Sequence, residues 1–302
     1  MTKFKNPLVS IIMPAYNAGD FLRASIDSIL NQTYKNFELI IVNDASTDET
    51  SEILNQYKRQ DKRIRVITNK INLGISSSAN IAISKAKGEF IARMDADDIT
   101  LPQRIEKQVN FLNRNKNVVG LGGQCELINK DGVKIGEKLF PTDFKHTKQM
   151  IFANVPLQQP SLMVNKNLLP KNFVWYDNDF SSAEELELIF KLFKLGEVRN
   201  LKDIVLKYRI HNNNTSFINP KKTFYLTLKT RIKGITKYGY KPSFVGVVTT
   251  LAQIMFVLLV PNKFIYPIYT YIRGMRKINI RNVKINIDVF KTYQKIYQLA
   301  QG

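Results

Sequence analysis

The chain has 302 residues, with 45 Lys/Arg against 25 Asp/Glu and a formal net charge of +20. This length provides one large domain plus an appendage, and the single cysteine, Cys125, excludes an internal disulfide and fits a reducing compartment. Residues 221–302 hold 15 of the basic residues and one acid, Asp288, so we expect this tail to attract nucleic acid or an anionic membrane face.

The first hundred residues alternate between predicted strands and helices. Short apolar runs predict strands over 8–13, 37–42, 64–67 and 89–94. Capping-box signatures predict that helices begin at Ser46 and at Thr100. Four strand–helix repeats favour a parallel, doubly wound α/β sheet, in which ligands bind at the carboxyl ends of the strands. The run over 8–13 is also too short for a secretory signal, so we expect none.

Polar residues follow three of these strands. Asn17, Asp44 and Asp95 come after the first, second and fourth strands, so we expect them at one edge of the sheet. Asp97 and Asp98 follow Asp95 at once, and carboxylates this close repel one another unless a cation lies among them. Their hard oxygen ligands suit Mg²⁺ or Mn²⁺. The alternative is a solvated acidic loop that helps to charge the N-terminus of the next helix.

The pattern changes in the second half. Strands are predicted over 118–128, 134–139, 160–164 and 204–210. Ser182 and Glu185 form another capping box, which opens a helix that ends at Gly196. We therefore expect one α/β domain over residues 1–220, which would carry any catalytic site, and a basic, apolar C-terminal region over residues 221–302.

The C-terminal region contains a long uncharged run between Lys241 and Lys263. Its apolar part, 244–260, approaches the roughly 20 residues that span a bilayer, although Thr249, Thr250 and Gln253 dilute it. With basic residues on both sides and tyrosines after it, this run favours a helix lying in the membrane surface over a true span. A buried pair of core helices is the alternative.

Two common nucleotide-binding motifs are absent from the sequence. There is no G-x-G-x-x-G after the first strand and no G-x-x-x-x-G-K-[ST], which argues against a dinucleotide oxidoreductase and a P-loop enzyme. Six other segments resemble, in the same order, the inverting family-two glycosyltransferases with the GT-A fold. They are VSIIMPAYN (9–17), VNDASTD (42–48), NLG (72–74), MDADD (94–98), AEE (183–185) and YRIH (208–211).

This resemblance implies that a sugar is transferred, with inversion, from a nucleotide-diphosphate donor, usually a UDP-sugar. Each matching residue then has an implied role. Pro14, Tyr16 and Asn17 lie under the nucleotide, Asp44 contacts uracil or ribose, Asp97 holds Mn²⁺ or Mg²⁺, Asp95 contacts ribose or the water of the metal, and His211 meets the metal or the diphosphate. Asp98 is expected only to cap or polarise the following helix.

Glu185 is the candidate base that takes the proton of the acceptor hydroxyl. It matches the second acid of a Glu-Asp pair, where the family usually has Asp, so the choice between Glu185 and Glu184 stays open. Glu185 as a capping residue alone is the other alternative. The chain also has Gln159-Pro160 where the family often has His-Pro. Trp175 and Tyr176 are candidates for stacking on an acceptor sugar, or for core packing.

The expected setting is the cytoplasmic face of the plasma (inner) membrane, with peripheral or monotopic attachment to an anionic surface. The expected acceptor is a saccharide or a lipid-linked saccharide used in surface polysaccharide assembly. We expect no nucleic-acid partner, since the basic excess lies outside the α/β part of the chain. An inactive sugar-nucleotide-binding or scaffold protein is the main alternative. A nucleic-acid-binding protein is less favoured, and a pyrophosphorylase would need a Gly-rich phosphate loop that the sequence lacks.

Overall fold

The strands and helices of the first half alternate as predicted. The computed structural model describes residues 6–177, 183–211, 219–261, 264–265 and 268. The first elements are β1 (Val9–Ala15), α1 (Gly19–Leu30), β2 (Phe37–Asn43), α2 (Thr50–Gln60), β3 (Ile64–Thr68), α3 (Ile75–Ser84) and β4 (Phe90–Arg93). Strands β3, β2, β1 and β4 lie side by side in this order, and every pairing among them is parallel.

The second half adds strands of mixed direction. Its elements are β5 (Ile99–Thr100), α4 (Arg104–Arg114), β6 (Val118–Ile128), β7 (Lys134–Lys138), α5 (Phe144–Met150), β8 (Met163–Asn165), α6 (Glu184–Phe193) and β9 (Glu197–Arg209). The sheet continues from β4 through β8, β6 and β9 to β5, with β7 on β6. Only the β6–β9 pair is parallel here. The predicted α/β class of the GT-A type is confirmed.

The central strands are buried on both faces, which explains their continuous apolar sequences. Since side chains alternate along a strand, Ile11 and Ile41 pack in the core on one side of the sheet. Ile12 and Ile40 pack in the core on the other side. This double burial holds the carboxyl ends of β1, β2 and β4 together at one edge.

Two predicted helix starts are wrong, and tertiary contacts explain both. Helix α2 begins at Thr50 rather than Ser46, whose hydroxyl accepts a hydrogen bond from the backbone of Asn17 instead. Helix α4 begins at Arg104, because Thr100 belongs to β5 and pairs with Leu206 of β9. A capping signature is a local preference, and a hydrogen bond between loops overrides it at Ser46 while strand pairing overrides it at Thr100.

After the sheet, the described residues include helices α7 (Pro220–Thr236) and α8 (Phe244–Leu259). Helix α7 packs on α6 through Gly234, and a charged network over Asp177, Glu187, Lys191 and Lys233 links the two helices. In the described part of the chain, no helix is both long and apolar enough to cross a membrane. The division at residue 220 stays a prediction.

The Gly234–Phe190 contact gives a test of this packing. A β-carbon on Gly234 would lie 2.6 Å from the Phe190 ring, so Gly234→Ala should lower the free energy of unfolding by about 1–3 kcal/mol. Thr236→Ala, at an exposed site of the same helix, should change it by less than about 0.5 kcal/mol. Urea unfolding measures both variants. Equal stabilities would show that α7 does not pack against α6 in solution.

Candidate active site

The loops that follow β1, β2 and β4 carry the predicted site residues to one edge of the sheet. Pro14 is buried within β1 and pairs with Val42 of β2, so the two strands end together. Tyr16 follows with 52% of its surface exposed. Asn17 has a left-handed backbone (φ 46°), and its side-chain oxygen accepts a hydrogen bond from the backbone of Thr47 at 2.9 Å. The β1–α1 and β2–α2 loops therefore form one platform.

Asp44 holds the loop before α3 in place. Its carboxylate accepts hydrogen bonds from the side chain of Asn69 at 2.7 Å, from the backbone of Leu73 at 2.9 Å and from that of Gly74 at 2.8 Å. Gly74 has φ 84°, a conformation that suits glycine. Asp44 is buried with these partners, so it acts as a loop anchor, and its contact with uracil or ribose stays a prediction.

The acidic stretch after β4 forms a tight cluster. Asp95, Asp97 and Asp98 each place a carboxylate oxygen within 4.8 Å of the others. Asp95 and Asp97 are partly exposed, whereas Asp98 is fully buried. Burial, together with the charges of the other two aspartates, raises the pKa of Asp98 well above its ordinary value. Burial also raises the pKa of Asp95, and the nearby Arg93 opposes that rise.

The geometry of this cluster fits a divalent cation. The Asp97 carboxylate lies 2.9 Å from Nε2 of His211. This distance is that of a hydrogen bond between the two side chains, so an oxygen and a nitrogen ligand already converge beside the other two carboxylates. One carboxylate oxygen of Asp98 is buried and has no hydrogen-bond partner, so it is available to interact with a cation. Asp97, His211 and Asp95 are the residues that would hold Mg²⁺ or Mn²⁺.

Asp98 does not act as the sequence suggested. Helix α4 begins six residues after it, at Arg104, so Asp98 does not cap that helix. Its carboxylate instead accepts a hydrogen bond from the backbone of Arg209 at 2.8 Å. Asp98 thus joins the acidic loop to the last residue of β9.

Sequence reasoning missed the side chain of Arg209, which organises the acidic loop. Its guanidinium donates to the backbone carbonyl of Asp97 at 2.8 Å and to that of Lys130 at 2.8 Å. It also lies 4.6 Å from the ring of Phe21, and that ring is 5.1 Å from the ring of His211. The position of Arg209 in the YRIH segment, two residues before His211, was the available signal.

Two further arginines are buried beneath the acids. Arg93 lies with one guanidinium nitrogen 2.9 Å from a carboxylate oxygen of Asp95, although the pair lacks hydrogen-bond geometry. Arg104 donates to the backbone carbonyl of Arg93 at 2.8 Å, and burial lowers the pKa of Arg104 to about 10. These cations offset the negative charge of the loop, which explains why the chain tolerates arginine at the end of an apolar strand.

Glu185 is the second residue of α6. The helix begins at Glu184 after Ala183, whose backbone is left-handed (φ 68°). Burial raises the pKa of the Glu185 carboxyl, the charges of Lys138 and Arg93 lower it, and that of Asp95 raises it. These influences indicate that Glu185 lies near the acidic loop. The predicted cap Ser182 and the side chain of Glu184 lie outside what the structure describes.

The aromatic candidates belong to the core. Tyr176 is buried, and its backbone N–H donates to the side chain of Asn80 at 3.2 Å. Trp175 packs edge-on against Phe173, with ring centres 5.5 Å apart. Gln159 is buried beside the Tyr176 hydroxyl, at 3.5 Å. These contacts favour packing over sugar stacking for Tyr176 and Trp175.

The chain is similar in sequence to a known protein family and to a bacterial relative. Residues 10–167 match the sequence profile of the family described as Glycosyl transferase family 2. The chain is 37% identical over 213 residues to the O-antigen biosynthesis glycosyltransferase WbnJ of Escherichia coli, which covers 69% of this chain and 82% of that protein.

Two solved structures share the fold. S. aureus TarS 1–349 in complex with UDP has a TM-score of 0.63 at 17% identity, over 97% of this chain and 90% of that one. The mannosyltransferase PcManGT from Pyrobaculum calidifontis, in complex with GDP-Man and Mn²⁺, has a TM-score of 0.57 at 14% identity, over 98% of this chain and 87% of that one.

The different surroundings of Asp98 and Asp97 predict different effects on stability. Asp98→Ala removes the acceptor for the buried backbone N–H of Arg209, so the free energy of unfolding should fall by about 1–3 kcal/mol. Asp97→Ala removes a partly exposed carboxylate and should cost less than about 1 kcal/mol. Chemical denaturation without added metal measures both. A larger loss for Asp97→Ala would contradict the roles given to the two residues.

Proposed function

Because the chain belongs to glycosyl transferase family 2, we propose that it transfers a sugar, with inversion, from a nucleoside-diphosphate donor to a saccharide or glycolipid acceptor. The observation that carries the proposal is the meeting of groups at one sheet edge. Three carboxylates and His211 gather after β4, and Glu185 lies near them on α6. The carboxylates and His211 would hold a cation for the leaving group, and Glu185 would act as the base for the acceptor.

We infer that the donor is a UDP-sugar bound over the platform of the β1–α1 and β2–α2 loops. The exposed Tyr16 and the loop residues Pro14 and Asn17 would support the nucleotide. Asp44 would contact uracil or ribose from the strand end beside them. The fold is shared with TarS 1–349, which was solved with UDP, and this supports the proposal.

The acidic cluster supports the proposal that transfer depends on a divalent metal ion. Asp97 and His211 would hold Mn²⁺ or Mg²⁺, and Asp95 would touch the ion, its water or the ribose. When bound, the cation stabilises the negative charge that develops on the departing diphosphate. The fold is shared with PcManGT, which was solved with Mn²⁺ and GDP-Man, and this supports a divalent ion without deciding which one.

Glu185 is the proposed base. In the transfer, the acceptor oxygen forms a bond to the anomeric carbon, the bond from that carbon to the diphosphate oxygen breaks, and the acceptor proton moves to the Glu185 carboxylate. Burial raises the pKa of Glu185 and makes the carboxylate a better proton acceptor, while Lys138 and Arg93 oppose its full neutralisation.

The proposed setting is the cytoplasmic face of the plasma membrane, where a lipid-linked saccharide would be the acceptor. The name of the relative WbnJ refers to O-antigen biosynthesis, and this supports a role in surface polysaccharide assembly. The basic C-terminal region, which has no Asp or Glu from residue 219 to 261, supports attachment to an anionic surface.

Asp97→Ala should lower the rate of sugar transfer by at least about 100-fold while the protein stays folded, because the cation loses its main ligand. A chelator should abolish wild-type transfer, and added Mn²⁺ or Mg²⁺ should restore it. Asp203→Ala, which removes a carboxylate from a surface ion pair with Lys107, is the matched control and should leave the rate unchanged. Full wild-type turnover in excess chelator would refute metal dependence.

Glu185→Gln should bind the donor normally yet lose transfer by about 10²–10⁴-fold, since the amide cannot accept the proton. Glu185→Asp keeps a carboxylate that is one methylene shorter and should retain part of the rate. Donor binding is measured by calorimetry, and transfer by release of the nucleoside diphosphate. If Glu184→Gln loses transfer and Glu185→Gln does not, the base is Glu184. Loss in neither would place the base at another residue, whereas donor binding by a wild type that shows no transfer would favour an inactive binding protein.

A further inference from the structure

Helix α8 has its polar and apolar sides reversed relative to a helix of a soluble protein. The side that packs on the rest of the protein carries Gly246, Thr249 and Thr250, all buried, together with Gln253. The opposite side carries a stripe of apolar side chains that are between 45% and 84% exposed. This apolar stripe consists of Phe244, Val248, Leu251, Met255, Leu258 and Leu259.

The spacing of the apolar stripe is that of one helix face. Its members follow one another at intervals of three or four residues, apart from the adjacent pair at the end, so they lie within roughly 100° of arc. The residues of the packed side fall on the opposite arc. An amphipathic helix of a soluble protein places its apolar face toward the core, whereas α8 places that face outward.

Specific hydrogen bonds fix this orientation. The Thr250 hydroxyl donates to the backbone carbonyl of Phe152 at 2.7 Å, and the Gln253 amide donates to that of Ala153 at 2.7 Å. The Gln253 side-chain oxygen accepts from Arg231 of α7 at 2.8 Å. A β-carbon on Gly246 would lie 2.9 Å from that of Phe152, so the approach is also close. Rotating α8 to bury its apolar stripe would break all of these contacts.

We propose that the apolar stripe of α8 inserts into the interfacial layer of an anionic lipid bilayer. The helix has 16 residues, or about 24 Å at 1.5 Å per residue, which suits a helix lying along the surface. Lys237 and Lys241 are exposed just before Phe244, and residues 219–261 include no acid, so the charge complements anionic headgroups. A second copy of the chain would bring the same positive charge to this surface, and like charges repel.

The apolar stripe adds a membrane partner to the proposed function. Insertion into a bilayer does not depend on that function, and only the route of the acceptor to the base rests on it. Phe152 contacts α8 and also packs against Phe190 of α6, with ring centres 6.4 Å apart. Helix α6 carries Glu185, so Phe152 contacts both the helix that would enter the bilayer and the helix that carries the proposed base. A lipid-linked acceptor would then reach the base from the side of the membrane.

The test is flotation of the full chain with phosphatidylcholine vesicles, with and without phosphatidylglycerol. Wild type should float with the anionic vesicles. Leu251→Gln combined with Met255→Gln should weaken binding at least about tenfold, because two side chains lose the gain from leaving water. Both sites are exposed, so the thermal unfolding midpoint should not change. Val174→Gln, at an exposed apolar residue outside α8, is the matched control and should bind like wild type.

A second variant tests the charge. Lys241→Gln should weaken binding to the anionic vesicles and leave binding to neutral vesicles unchanged. The proposal is overturned if wild type does not float, or if the stripe variant floats as well as wild type. It is also overturned if the stripe variant instead converts a dimer to a monomer in light scattering, since the occupant would then be a second copy.

The two proposals can fail separately. Donor hydrolysis without vesicles tests the glycosyltransferase chemistry and should be equal in wild type and the stripe variant. Vesicle binding without any hydrolysis would refute the proposed function and keep the membrane surface. Transfer to a soluble acceptor without vesicle binding would support the proposed function and overturn the membrane surface.

Discussion

The crowding of negative charge at the end of β4 is the constraint on which the rest of the structure depends. Three carboxylates lie within 4.8 Å of one another, and one of them is fully buried. Burying such charges costs free energy unless they are paired and hydrogen-bonded. Arg93 and Arg104 lie beneath them, and Arg209 comes from β9 to hold the loop by its backbone. The strands β4 and β9 and the helix α4, which carry these arginines, are therefore as necessary to the site as the acids.

Because of this constraint, the two halves of the sheet contribute different parts of the site. The parallel half ends in short loops that form a platform, anchored by Asn17 and by the buried Asp44. The mixed half carries Arg209 and His211 to that platform at the end of β9, which pairs with β6 along most of its length. Helix α6 precedes β9 and carries Glu185 near the same acids. The proposed platform for a donor and the proposed base for an acceptor thus lie where the halves join.

The C-terminal helices extend this arrangement outward. Helix α7 is tied to α6 by Lys233, which pairs with both Asp177 and Glu187. Helix α8 is held through Phe152, whose ring also packs against α6. Because the polar residues of α8 are used for these internal contacts, its apolar residues point outward. An apolar surface that the described residues leave exposed is thereby fixed relative to the proposed catalytic groups.

The sequence by itself determined the alternation of strands and helices in the first half, the sheet edge that carries Asn17, Asp44 and Asp95, and the resemblance that the family comparison confirmed. Those features depend on residues close together in the chain, whose periodicity and turn chemistry are visible in sequence. Only the tertiary structure decided that Ser46 and Thr100 do not cap helices, that Asp98 binds the backbone of Arg209, and that Thr249, Thr250 and Gln253 face inward. Each of these outcomes depends on a partner far away in the chain, 111 residues away for Asp98. A local pattern expresses a preference of a few tenths to about 2 kcal/mol, and a buried contact of this kind is strong enough to override it.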